Sequence, residues 1–297
     1  MNIDLSEFKI NKTPIAEFID KNNNHLFVKE ESKNPSGSIK DRVFLYGLKK
    51  LLSDGKIEPG YTLEIASSGN AAISLATIAP FFGLKVKVYM PSSTSSERRT
   101  IMNVMKIEAH YIEGGMTKTI EEAKKEAEKP NNFYFDQFFD PIFLGAHEDT
   151  AKEISEELSN IDYIVSGVGT GITINALSSK LKKYYPNLKI IAYEPDEAHF
   201  LSEHQFGPHS LEGVGPNFYP PNVQGINIEK IVSITKNEAY DMAIELFKHG
   251  HDYGITTAAN IVAATKSGLA NKNILVINYD SIQKYLNVLN KYVTEKN

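Results

Sequence analysis

Short apolar runs rich in β-branched and aromatic residues alternate with stretches whose apolar residues return at helical spacing, along nearly the whole chain. The runs at 25–31, 62–66, 85–90, 109–112, 133–137, 163–166, 189–194, 230–234 and 274–278 read as strands. Helical patterns lie between many of them. In 237–249, Ala239, Met242, Ala243, Leu246 and Phe247 fall on one face, a stripe that reads as core. The charged run 119–129 reads as a solvated helix face. Strand–helix alternation predicts an α/β chain with mostly parallel, twisted sheets covered by helices. Ligands in such folds sit where loops leave the carboxyl ends of strands, so those loops are the first places to look for chemistry.

The totals narrow the field. A chain of 297 residues can form two modest lobes but not a string of modules. Its formal charge of -5 leaves no basic surplus to neutralise phosphates, so nucleic acid is not an expected partner. No apolar run reaches the roughly eighteen residues of a membrane span, and the opening MNIDLSEFKINK lacks the apolar core of a signal peptide. Cysteine is absent, which removes disulfides, a thiolate nucleophile and Cys-ligated metal or haem. No metal site is expected, and a cytoplasmic enzyme is the plain reading.

Four segments carry candidate chemistry. In Asn34-Pro35-Ser36-Gly37-Ser38-Ile39-Lys40-Asp41-Arg42, Asn-Pro and Ser-Gly are turn pairs that lead into a helix. Lys40, Phe44, Gly47 and Leu51 then share a largely apolar face, which turns the Lys40 ammonium inward. Burial and the positive end of the helix dipole both favour the neutral amine, the form that condenses with an aldehyde. A lysine that merely snorkels and supports the helix fits the same pattern. Ser67-Ser68-Gly69-Asn70 links a strand to a helix and offers backbone amides to a carboxylate or phosphate, or is an ordinary turn. Ser166-Gly167-Val168-Gly169-Thr170-Gly171-Ile172-Thr173 suits a phosphate for the same reason. It lacks the Lys-Ser/Thr of a nucleotide P-loop and does not complete a dinucleotide fingerprint. Asp280-Ser281 after the last strand is a helix N-cap signal.

NPSGSIKDR resembles the cofactor-lysine motif of the cysteine synthase and cystathionine β-synthase family, the fold-type II pyridoxal-phosphate enzymes. The likeness is strongest to the O-acetylserine sulfhydrylases. It runs in the family's motif order from Thr13-Pro14 to Asp280-Ser281. It implies two lobes: a smaller, mobile substrate lobe at 36–146, and a larger cofactor-phosphate lobe made of 1–35 and 147–297. It implies pyridoxal 5'-phosphate as cofactor, held covalently by Lys40. Asn70 would contact the cofactor's 3′ oxygen, Gly169, Thr170, Gly171 and Thr173 its phosphate, and Ser281 its pyridine nitrogen, with Asp280 as a rival. Ser67, Ser68, Gly69, Asn70 and Gln137 would grip the substrate carboxylate. Weaker matches are Met116, Glu212-Gly213-Val214-Gly215 and Gly254-Ile255-Thr256-Thr257-Ala258. Ala71, Ala72, Ile172 and Ala258 depart from the family pattern.

The implied reaction is β-replacement on an activated serine through an aminoacrylate, with O-acetylserine and sulfide giving cysteine and acetate. The alternatives are another β-replacement (O-phosphoserine-dependent cysteine, cystathionine, lanthionine or diaminopropionate-type synthase) or a serine/threonine dehydratase-type lyase. The partners implied are a small amino-acid donor, a small nucleophile and a second copy of the chain in a homodimer.

Overall fold

The computed structural model describes residues 7–67, 69–94 and 96–296. These divide into two compact units. Unit 1 takes the start of the chain to Asn11 together with Asn34–Phe143, and unit 2 takes Lys12–Lys33 and Leu144–Asn297.

Unit 2 holds a six-stranded sheet built from β1 (Ile15–Ile19), β2 (His25–Glu30), β7 (Tyr163–Gly167), β8 (Lys189–Pro195), β9 (Lys230–Ile234) and β10 (Asn273–Asn278). Their spatial order is β1-β2-β10-β7-β8-β9. All neighbours are parallel except the β1–β2 hairpin. Every residue of β7 is buried, as a central parallel strand requires. The core of this unit runs from Val28 and Val165 through Ile191 and Tyr193 to α8 (Ile255–Lys266). The helix α7 (Lys236–Lys248) opens with a capping box, Thr235 accepting from the Glu238 amide while Glu238 Oε2 accepts from the Thr235 amide at 2.9 Å. Its stripe buries Ala239 and Ala243, but Phe247 is 44% exposed and does not belong to the core.

Unit 1 holds a four-stranded, all-parallel sheet of β3 (Thr62–Ala66), β4 (Lys85–Pro91), β5 (Glu108–Ile112) and β6 (Asn132–Tyr134), in the order β5-β4-β3-β6. Its helices are α1 (Lys40–Ser53), α2 (Asn70–Ile78), α3 (Ser96–Val104) and α4 (Gly115–Glu126). The architecture is therefore mixed α/β with mostly parallel sheets and intervening helices.

Two details differ from the sequence reading. The strand expected at 133–137 stops at Tyr134. Asp136 Oδ1 accepts from the amides of Phe138 and Phe139 at 3.0 Å, and this turn ends the extended run. The strand β1 was not expected; it lies on the edge of its sheet, and its residues are partly buried or, at Glu17 and Ile19, exposed.

Candidate active site

In unit 1 the turn before α1 is held by the Gly37 amide donating to the Asn34 carbonyl at 2.8 Å, and Gly37 takes φ +78, a conformation suited to glycine. Asp41 secures this turn from inside. Its carboxylate accepts from the Ser36 amide at 2.7 Å, from the Ser36 hydroxyl, and from Ser74 Oγ at 2.6 Å. Ser74 lies in α2, so one buried carboxylate ties the lysine turn to the helix that follows the asparagine loop. Ser38 Oγ is fully buried and finds no hydrogen-bond partner among the described residues.

Lys40 opens α1, and no side chain caps that end of the helix. Phe44 and Leu51 are fully buried, as the shared face predicts. Lys40 Nζ lies 5.7 Å from the Phe44 ring and donates to Gln137 Oε1 at 3.2 Å. Burial disfavours the charged ammonium and lowers the Lys40 pKa from 10.5 to about 8.

The asparagine loop leaves the buried end of β3. Ser67 Oγ accepts from the Gly69 amide at 3.3 Å, and Gly69 precedes α2, whose first turn also has no side-chain cap. Asn70 is the first residue of that helix. Ser68 lies outside the described residues. Ala71 and Ala72 are both buried. Gln137, 6% exposed, sends Nε2 to the carbonyl of Ala66 at 3.4 Å, just before the same loop. Unit 1 thus gathers Lys40, Gln137 and the base of the 67–70 loop. Met116, in α4, is 37% exposed.

In unit 2 the glycine-rich loop joins β7 to α6 (Ile172–Leu181), and α6 begins without a side-chain cap. Gly169 has no room for a side chain, because a Cβ there would stand 2.5 Å from the Gly213 carbonyl oxygen. Gly171 takes φ +81 and packs on Asn222 and Val223. Asn222 Nδ2 donates to the Thr170 carbonyl at 2.8 Å, and Asn175 Nδ2 donates to the Asn222 carbonyl at 2.6 Å. Ile172 is helical and buried, so the loss of a glycine there strains nothing. Thr173 stands in the first turn of the same helix.

Behind the loop, Asn260 Oδ1 accepts from the Gly167 amide at 2.9 Å, and the Tyr193 ring covers the Gly167 Cα. The Tyr279 hydroxyl meets Ser166 Oγ and donates to the Gly167 carbonyl at 3.2 Å. Burial pushes its pKa up to about 12.

Ser281 has prior engagements. Its hydroxyl donates to Asp252 Oδ1 at 2.5 Å and accepts from the Gln283 amide at 3.0 Å, the N-cap arrangement of the short helical turn that follows. Asp280 is buried, and its Oδ2 accepts from the Tyr285 hydroxyl at 2.7 Å. Thr256 brings another hydroxyl to the segment packed on the glycine-rich loop. It donates to the Glu212 carbonyl at 3.2 Å and faces Gly213, the residue packed on Gly169. Its neighbour Thr257 is turned inward to Asn278 Oδ1 at 2.9 Å. Ala258 is fully buried, so the glycine lost there is filled by packing.

Residues 7–280 match the family described as pyridoxal-phosphate dependent enzyme. The chain belongs to that family. A cysteine synthase of Flavobacterium sp. is 36% identical over 246 residues, covering 80% of this chain and 80% of that protein. Cysteine synthase B of Campylobacter jejuni is 34% identical over 284 residues, covering 93% and 95%. The crystal structure of an O-acetylserine dependent cystathionine beta-synthase from Helicobacter pylori superimposes with a TM-score of 0.89 at 30% identity, covering 97% of this chain and 98% of that one.

The residues present suit the family's cofactor. A partly buried lysine with a depressed pKa supplies the amine that an aldehyde needs. An uncapped helix start behind a loop that excludes side chains at Gly169 and Gly171 supplies amides for a dianionic phosphate. Among the described residues no group of acidic, histidine or cysteine side chains could hold a metal ion, and no helix is long and apolar enough to cross a membrane.

Proposed function

We propose that the chain is a β-replacement enzyme acting on an activated serine, a cysteine synthase that takes O-acetylserine and sulfide to cysteine and acetate. The observation that carries this reading is Lys40: a partly buried amine, lowered to about 8 by burial and met by a neutral amide. Pyridoxal phosphate, when bound, supplies an aldehyde for amines and a ring that delocalises the electron pair left at the α-carbon.

Lys40 is the residue that would hold this group and, once displaced by the donor's amine, take the α-proton at Nζ as general base. In unit 1, Asn70, with the loop amides and hydroxyls of Ser67, Ser68 and Gly69, serves cofactor and carboxylate, and Gln137 serves the carboxylate. In unit 2, Gly169, Thr170, Gly171 and Thr173 serve the phosphate. For the ring nitrogen we assign Thr256 in preference to Ser281. Ser281 would have to give up the Asp252 carboxylate at 2.5 Å, whereas Thr256 has the longer Glu212 carbonyl contact at 3.2 Å to give up and faces Gly213, which packs on Gly169. A hydroxyl there leaves the nitrogen unprotonated, which suits departure of a group from the β-carbon. The working form is expected to be a cytoplasmic homodimer.

The Helicobacter pylori neighbour favours a second reading, with a larger thiol as nucleophile. One panel separates the readings. Purified enzyme is mixed with O-acetylserine, O-phosphoserine, serine or threonine, and the products formed with sulfide or homocysteine are identified. Cysteine from O-acetylserine and sulfide as the fastest reaction supports the proposal. Cystathionine formed faster moves the assignment to the second reading, and a keto acid formed without any nucleophile makes the chain a lyase. Borohydride reduction followed by peptide mapping tests Lys40 directly, and an adduct on another lysine ends the site assignment.

A further inference from the structure

We infer that Gln137 is a positioning residue for the Lys40 amine, holding it through the amide oxygen while the amide nitrogen is anchored at the base of the carboxylate loop. This rests on the site assignment above, and it goes beyond the carboxylate contact given to Gln137 there.

The geometry is polarised. Gln137 is nearly buried, with Nε2 on the Ala66 carbonyl at 3.4 Å and Oε1 on Lys40 Nζ at 3.2 Å. Flipping the amide would set its oxygen against the Ala66 carbonyl and its N–H groups against those of the lysine, so the backbone at Ala66 decides which end Lys40 sees. The charged groups nearby are turned elsewhere. Asp41, next along α1, faces Ser36 and Ser74. Asp136, next to Gln137, accepts from the amides of 138 and 139 and lies 3.9 Å from Lys124. Burial is accordingly the cause of the lysine's lowered pKa.

The consequence is chemical. A neutral amide oxygen accepts one N–H of Lys40 and stabilises the ammonium far less than a carboxylate would, so burial still holds the pKa at about 8 and a fraction of free amine is present near neutral pH, with its lone pair held in one direction. A carboxylate at the same place would hold the ammonium instead. Ala66 is the last residue of β3 before Ser67, so a shift of the loop on binding a carboxylate would reach Lys40 through this one amide. One N–H of Nε2 goes to Ala66, and the amide group carries a second for a substrate carboxylate.

The test uses the full-length chain and the variants Gln137→Glu and Gln137→Met, with the cofactor first mapped to Lys40 by borohydride reduction. The pH dependence of Lys40 modification by an amine-directed reagent is measured on cofactor-stripped protein and read by mass spectrometry. Gln137→Glu should raise the midpoint by about one pH unit or more, and Gln137→Met should leave it near the wild-type value. In the loaded enzyme Gln137→Met should lower kcat on the order of tenfold to a hundredfold, with a larger isotope effect from α-deuterated donor. A residue that serves only the carboxylate would raise KM, leave kcat intact and leave the Gln137→Glu midpoint unmoved. That pattern overturns the inference while leaving the site assignment standing. A cofactor mapped to another lysine overturns both.

Discussion

Replacing Lys40 by methionine should make the cofactor-free chain more stable at neutral pH, although it abolishes attachment of the cofactor. In the unfolded chain the lysine has its ordinary pKa of 10.5, and in the fold it lies at about 8. The unfolded state therefore binds more protons between those values, and stability rises with pH across that window. Below about pH 8 the penalty for enclosing the ammonium is fully present, and above about 10.5 it is gone. At about 1.4 kcal/mol per pH unit the penalty is at most about 3.5 kcal/mol, and less in practice because Lys40 is not wholly sealed from solvent. Methionine fills similar volume but leaves Gln137 Oε1 without its donor, a loss of about 1–2 kcal/mol. The net gain at neutral pH is then about 1–2 kcal/mol, and it should vanish or reverse near pH 10. Urea unfolding of cofactor-free wild type and Lys40→Met, run at neutral and at alkaline pH, measures it, and the variant's difference from wild type cancels the titration of the tyrosines. A variant less stable than wild type at neutral pH, or a difference that does not change with pH, would refute the reasoning.

Three further outcomes are expected. Gly169→Ala should weaken phosphate and cofactor retention and cost about 1–3 kcal/mol of stability, because the new methyl meets the Gly213 carbonyl; unchanged cofactor affinity in a dialysis assay would count against the loop's role. Ala71→Thr should lower KM for O-acetylserine if the missing hydroxyl limits donor binding, and an unchanged KM assigns the departure to packing alone. Thr256→Val should keep phosphate binding but alter the visible spectrum and slow turnover, whereas Ser281→Ala should chiefly loosen the helical turn it caps, at about 1 kcal/mol in a thermal melt; the reverse pattern would return the ring nitrogen to Ser281.

How much of this could be read from the chain depends on how local the cause is. The strand at 62–66 was readable because four of its five residues are buried and a turn follows at once. The strand β1 was not, since in IAEFI Glu17 interrupts a short apolar run, and the strand lies on an edge where Ile19 stays 62% exposed. At 133–137, Phe135 continues the apolar run, and only the reach of Asp136 to the amides of 138 and 139 shows that the strand has ended. The lysine motif carried its own turn chemistry and so could be placed in advance. What could not be foreseen is the amide of Gln137 beside it, because that contact joins residues far apart in sequence. Ser281 and Thr256 differ in the same way. Asp-Ser is a cap signal wherever it occurs, and the structure uses it as one. Thr256 was part of only a weaker match, residues 254–258 at the start of a helix, and its place beside Gly213 depends on a distant loop.

The pairing of β2 with β10, Asn273 beside His25 and Asn278 beside Glu30, has a consequence for synthesis. A nascent chain leaving the ribosome can complete the four-stranded sheet once residue 143 has emerged. The hairpin of β1 and β2 has no such option. One side of β2, with Leu26 and Val28 ready for burial, keeps an open row of backbone donors and acceptors until residues 273–278 are made. That interval is when a holdase chaperone has most to protect. A stop codon placed before 273 would remove β10, a partner of both β2 and β7, and so take a strand from the middle of the sheet.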